Sequence, residues 1–154
     1  MDMSTILKPE AVRVLSGVSS KKRLFHEVGM LVESSYGLNH GDAVDALQER
    51  ESLGPTGVGH GVALPHARLS CADRVMGAMV LLEKPINFDA VDRQPVDLVF
   101  SLFAPEDAGV EHLKALALIS RTLRETSLCG KLRSNRNPTT LYTILTEAQP
   151  VKAA

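Results

Sequence analysis

The chain has 154 residues, 44% of them hydrophobic and 23% charged, and its 17 basic and 18 acidic side chains leave a formal net charge of -1. That is enough chain to bury a hydrophobic core without metal or disulfide staples, so one domain is expected over 1–154, with its core at about 5–148. The near-neutral balance excludes a protein that holds nucleic acid mainly by phosphate neutralisation, because the densest basic cluster is only Lys21, Lys22 and Arg23.

The longest apolar runs, 96–104 and 115–119, fall well short of the roughly 20 residues that cross a bilayer, so no membrane insertion is expected. The start Met1-Asp2-Met3-Ser4-Thr5 lacks the basic flank and apolar stretch of a secretory signal, which points to the cytoplasm. Cys71 and Cys129 lie far apart and form no Cys-x-x-Cys pair, as expected of small apolar residues in a reducing compartment.

In chain order, Ser19 and Ser20 precede an amphipathic helix over 21–35, carried by Leu24, Phe25, Val28, Leu31 and Val32 and stopped by Gly37. Asn39 is the expected N-cap of a second helix through Val44 and Leu47, ending at Gly54 as a left-handed cap. Residues 54–61 then pack four glycines into eight positions, which reads as a shaped loop, too costly in entropy for helix and too irregular for plain strand. Short apolar runs at 62–64, 75–82 and 96–103 read as buried strands of one sheet. From Val110 a helix is expected with Leu113, Leu116, Ala117, Ser120 and Leu123 on its buried face, and Pro138 opens a last helix through Leu141 and Leu145. Helices before, between and after a few buried strands make an α/β layered domain.

The chemistry concentrates in residues 54–68, where glycine N–H groups able to approach an anion are followed at once by Pro65-His66-Ala67-Arg68. A Walker loop needs a closing Gly-Lys-Ser/Thr and a dinucleotide fingerprint needs a strand before and a helix after; both patterns are missing. Zinc could in principle use His60, His66, Cys71 and His112, but in an extended segment His60 and His66 stand on the order of 20 Å apart at about 3.3 Å per residue. The remaining reading makes His66 a nucleophile. A neutral imidazole attacks phosphorus directly, and N–H donors, an arginine and a second histidine suffice to stabilise the transferring group.

The block from Gln48-Glu49-Arg50-Glu51 through Thr56-Gly57-Val58-Gly59-His60-Gly61 to Pro65-His66-Ala67-Arg68 resembles the active-site segment of the mannitol/fructose-type IIA proteins of the bacterial phosphotransferase system. Glu111-His112-Leu113 is similar to that family's second histidine motif, and the start of the chain and Phe103-Ala104-Pro105-Glu106 look like its nitrogen-regulatory branch. The resemblance implies a single-domain α/β sandwich: a mixed sheet of about five strands with helices on both faces. It implies phosphorylation of His66 at Nε2 by a carrier of the HPr type, with Arg50 and His112 beside the phosphoryl group. Thr56, Gly57, Gly59 and Gly61 would then form the phosphate-binding loop and Arg68 a docking contact, with no cofactor or metal.

Each assignment has a plainer competitor: His66 as a half-buried structural histidine, His112 as a helix cap, Arg50 as a solvated charge at a helix end. His26 and His40 read as solvated. The branch implies output through downstream regulatory proteins. The alternatives are a sugar-specific IIA component passing phosphate to a IIB protein, a binding module that no longer turns over phosphate, and a zinc hydrolase on His60, His66 and His112.

Overall fold

Two long apolar runs with β-branched residues form the centre of the molecule. In the computed structural model, which describes residues 1–147, they are β5 (Met76–Ile86) and β6 (Val96–Pro105), paired antiparallel with Val80 opposite Val99. Residues 76–82 are buried without alternation, as are 98–104 of β6, and a strand buried on both sides needs cover on both sheet faces. Around this pair the sheet is mixed. β1 (Leu7–Leu15) adds parallel to the outer edge of β5, while β3 (Val62–Ala63) and β4 (His66–Leu69) add parallel to β6. β2 (Gly57–Gly59) closes the other edge, antiparallel to β3.

Six strands are thus present where about five are expected. β1, β2 and β4 lie outside the three apolar runs read as strands from the sequence. β1 carries Pro9, which a strand tolerates at an edge or irregularity, and its pairing with β5 shifts between Leu7 and Val12. The segment 54–61 is not wholly loop, since its residues 57–59 form the three-residue strand β2.

α2 (Lys21–Tyr36) and α3 (His40–Ser52) pack on each other and on β1, β5 and β4. Both start as expected: the Ser20 hydroxyl accepts from the Arg23 amide and Asn39 Oδ1 from the Asp42 amide. α2 ends on Gly37 at φ 78°. α3 ends differently from expectation, on Leu53 in the right-handed conformation, with Gly54 at φ 154° one residue later. A short α1 (Met3–Ile6), α4 (Val110–Leu123), α5 (Thr126–Arg133) and α6 (Pro138–Glu147) form the second group. The end of the expected core, residue 148, lies outside the described residues.

The buried face of α4 corrects the expected one. His112, Ala115, Leu118, Ile119 and Leu123 point inward, and Leu113 is 64% exposed. So many of its side chains are apolar that two helical stripes are possible, and the one containing the histidine packs against the sheet.

Candidate active site

Residues 62–69 run as one extended stretch along β6. Val62 faces Leu98 and His66 faces Leu102, the same offset on both sides of a break at Leu64 and Pro65. Pro65 has no N–H to donate, yet its carbonyl still accepts from the Leu102 amide at 2.9 Å. Side chains alternate along such a stretch, so His66 and Arg68 share one face while Ala67 and Leu69 are buried on the other.

One contact orients the half-buried His66 ring: Nδ1 lies 2.9 Å from the Leu64 carbonyl oxygen. A carbonyl only accepts, so Nδ1 carries the proton and Nε2 keeps its lone pair. α4 supplies the facing ring. His112 stands with its centroid 5.6 Å from that of His66, tilted by 56°. It is only 5% exposed, and its Nδ1 is buried without a hydrogen-bond partner among the described residues. A proton there would be an orphaned donor costing about 1–3 kcal/mol, so the ring proton belongs on Nε2. Burial first, then the neighbouring His66 and the Arg68 charge, hold the His112 pKa below the ordinary imidazole range, which keeps the ring neutral at pH 7.

Arg50 lies in the last turn of α3, the helix that packs on β4. It is half-buried, and its Nη1 donates to the Gly54 carbonyl at 2.9 Å, so it shapes the loop after α3. Arg68 is exposed and donates from Nη1 to the Glu106 carbonyl at 3.1 Å.

The glycine segment has a more specific geometry than an anion cradle. His60 and Gly61, at φ 58° and 78°, form the two-residue turn of the β2–β3 hairpin, the geometry in which both central residues are left-handed. A Cβ on Gly57 would stand 2.8 Å from the Ala90 Cβ, and one on Gly61 2.5 Å from Arg133 Nη2. Gly59, at φ 103°, packs beside Asp92. The His60 amide donates to Asp92 Oδ2 at 2.9 Å and its carbonyl accepts from Arg133 Nη2 at 2.8 Å. These glycines are thus accounted for by turn and packing. Thr56, in turn, gives both its amide and its hydroxyl hydrogen to Glu51, at 3.0 and 2.6 Å.

The structure therefore brings His66, His112 and Arg68 together, and leaves His60 at the hairpin turn. Among the described residues no three His, Cys, Asp or Glu side chains gather in a metal-binding group. A cleft of about 510 Å³ lies beside Leu64, lined by Val58, Val62, Leu64, Leu123 and Arg133 among others but not by the two facing histidines. His26 and His40, expected to be solvated, are half-buried with ring centroids 5.7 Å apart between α2 and α3. The Leu64 carbonyl that holds the His66 ring was not found in the sequence, because a backbone group leaves no residue-type signal.

The chain matches the family described as phosphoenolpyruvate-dependent sugar phosphotransferase system, EIIA 2, over residues 5–148. It is 41% identical over 145 residues to the nitrogen regulatory protein of Bradyrhizobium diazoefficiens, covering 94% of this chain and 95% of that protein. The crystal structure of nitrogen regulatory protein IIA-Ntr from Neisseria meningitidis superposes with a TM-score of 0.85 at 39% identity, covering 94% of this chain and 99% of that one. The IIA mannitol structure from Escherichia coli shares the fold, with a TM-score of 0.75 at 18% identity over 90% of this chain and 97% of that one. No helix among the described residues is long and apolar enough to cross a membrane. With facing histidines on a strand and a helix of this fold, and with relatives that match it nearly end to end, the chain belongs to the EIIA type-2 family of the phosphotransferase system, beside members named nitrogen regulatory protein.

Proposed function

We propose that His66 accepts a phosphoryl group on Nε2 from a phosphorylated HPr-type carrier in the cytoplasm, and that its phosphorylation state governs binding to downstream regulatory proteins. The observation that carries this reading is the Nδ1–H bond to the Leu64 carbonyl, which leaves Nε2 as the nucleophilic nitrogen. In the transfer the Nε2 lone pair forms the new N–P bond while the donor's N–P bond breaks and its electron pair returns to the donor ring. Positive charge develops on the His66 ring as the bond forms, and the Leu64 carbonyl is already placed to stabilise it. His112, neutral and protonated on Nε2, donates to a phosphoryl oxygen; Arg50 and Arg68 supply positive charge. In this reading Thr56 and the hairpin glycines shape the loop rather than bind phosphate.

The rim supports a protein rather than a small molecule as partner. Val110 and Leu113 stand 63% and 64% exposed on α4, flanking His112. A phosphoryl group adds about two negative charges to that rim, enough to repel a partner that docks through carboxylates and binds the uncharged form. Incubation with a phosphorylated HPr-type protein should add one phosphoryl group to the wild type, acid-labile and base-stable, and none to His66→Ala. Full labelling of that variant overturns the assignment. Rapid onward transfer to a sugar-specific IIB protein, with identical partner sets for His66→Ala and His66→Asp baits, would place the output in transport instead.

A further inference from the structure

The tautomer of His66 is set by one carbonyl, so what holds that carbonyl matters as much as the ring. Leu64 sits at the break between β3 and β4, where Pro65 interrupts the ladder. Its amide donates to the Thr56 carbonyl at 3.0 Å, continuing the hairpin pairing one step beyond β2. Thr56 is fastened in turn by Glu51, whose Oε2 accepts the Thr56 amide and whose Oε1 accepts the Thr56 hydroxyl. The Glu51 side chain is 7% exposed, and Lys21 Nζ lies 3.0 Å from its Oε2. Lys21 is itself restrained, 4.8 Å above the Phe88 ring centroid and 3.5 Å from Asp89 Oδ2.

From this continuous path, Lys21 to Glu51 to Thr56 to Leu64 to His66, we infer that Glu51 is a positioning residue for phosphoryl transfer, anchored by Lys21, that keeps the His66 proton on Nδ1. Three donors converge on the two carboxylate oxygens. A glutamine could still accept the Thr56 amide and donate to the Thr56 hydroxyl, which accepts as well as donates, so an apolar side chain of similar length is the change that frees Thr56. Once Thr56 loosens, the Leu64 amide loses its acceptor, the carbonyl two bonds on can turn, and the His66 proton redistributes toward Nε2. That tautomer presents an N–H where the lone pair is needed. With its side chain 7% exposed and both oxygens taken up by Thr56 and Lys21, Glu51 acts through the backbone of Thr56 and Leu64 and not by touching the phosphoryl group.

This inference rests on the reading of His66 as phosphoryl acceptor, and the experiment separates the two. Full-length wild type, Glu51→Gln, Glu51→Met and Lys21→Met are compared by ring nitrogen NMR at His66, by the rate of phosphorylation from a phosphorylated HPr-type protein, and by melting temperature. Wild type should show Nδ1–H alone. Glu51→Met, which can neither accept from nor donate to Thr56 as the carboxylate does, should show both tautomers and a rate at least tenfold lower, equivalent to about 1.4 kcal/mol in the barrier. Glu51→Gln, which can keep both Thr56 bonds, and Lys21→Met should move both readouts the same way by no more than about threefold. If Glu51→Met does not fold, Lys21→Met carries the test. A lower melting temperature in Glu51→Met or Lys21→Met with the His66 tautomer and rate unchanged would make Glu51 a structural staple and overturn the inference. Failure of the wild type to accept phosphate would sink the acceptor reading alone, since the NMR comparison still decides whether Glu51 governs the His66 proton.

Discussion

The two histidines that face each other are held in opposite ways. His66 stands on a strand, half-buried, with its Nδ1 proton fixed by a backbone carbonyl. His112 stands on a helix, almost fully buried, with an Nδ1 that has no hydrogen-bond partner among the described residues and a pKa lowered mainly by that burial. In the proposed transfer the strand side fixes which nitrogen attacks before any partner arrives, and the helix side keeps a neutral donor dry until a phosphoryl oxygen reaches it. A nucleophile needs its lone pair oriented; a stabilising donor needs a low-dielectric setting in which its hydrogen bond counts for more.

The largest effect should come from breaking the helix side. His112→Ala should slow phosphorylation of His66 by about 100-fold, the scale seen when one oriented donor to a transition-state oxygen is removed. His112→Gln, which retains an N–H donor, should recover part of that loss. Single-turnover rates with a phosphorylated HPr-type donor check both. Equal rates for wild type and His112→Ala would reduce His112 to packing.

The hairpin should behave in the opposite sense, losing stability and not rate. Gly61→Ala puts a Cβ at φ 78° against the Arg133 guanidinium, which also pairs with Asp97. Strain in the left-handed region costs roughly 1–2 kcal/mol and the displaced Arg133 adds to it, so a loss of about 2–3 kcal/mol is expected in chemical denaturation. The folded fraction should still be phosphorylated within about twofold of wild type. A slow rate with unchanged stability would instead make the Gly61 amide a phosphate ligand. A smaller effect is expected at the rim, where Leu113→Ser should raise the KM for the carrier about threefold to tenfold and leave kcat alone, as loss of an exposed apolar contact worth about 1 kcal/mol would.

Local signals were legible where one principle dominated. Ser20, Gly37 and Asn39 mark their helix ends because caps are local chemistry, and β5 and β6 show as apolar runs because both faces are covered. β1 was hidden because Pro9 and Glu10 interrupt its pattern and its pairing is irregular where they fall. The face of α4 was misread because Leu113 and Leu116 are as apolar as Ala115 and Ile119, and only the sheet decides between them. At the site His66 and His112 could be named from the motif. The reason Nε2 is the free nitrogen could not, because a carbonyl oxygen and a hydrogen-bond path through Thr56 are properties of the folded backbone.

The smallest expected effect concerns pH and sharpens the contrast between the rings. Burial lowers the His112 pKa in the folded protein, whereas in the unfolded chain the ring titrates near the ordinary value of about 6.5. Between those two values the unfolded state binds more protons, so stability rises with pH there. The contribution is therefore complete above about pH 6.5 and is lost as pH falls from 6.5 toward the folded value, with a slope no steeper than about 1.4 kcal/mol per pH unit. Denaturation at pH 7.5 and 5.5 should show a smaller pH dependence for His112→Gln than for wild type, because the variant has no ring to protonate on unfolding. The phosphorylated protein should differ again. With a phosphoryl group on His66 the negative charge beside His112 favours its protonated form, so the folded pKa rises and the slope flattens. A pH dependence identical in wild type, His112→Gln and the phosphorylated protein would mean that His112 neither titrates on unfolding nor senses the phosphoryl group, and the helix side of the comparison would fall.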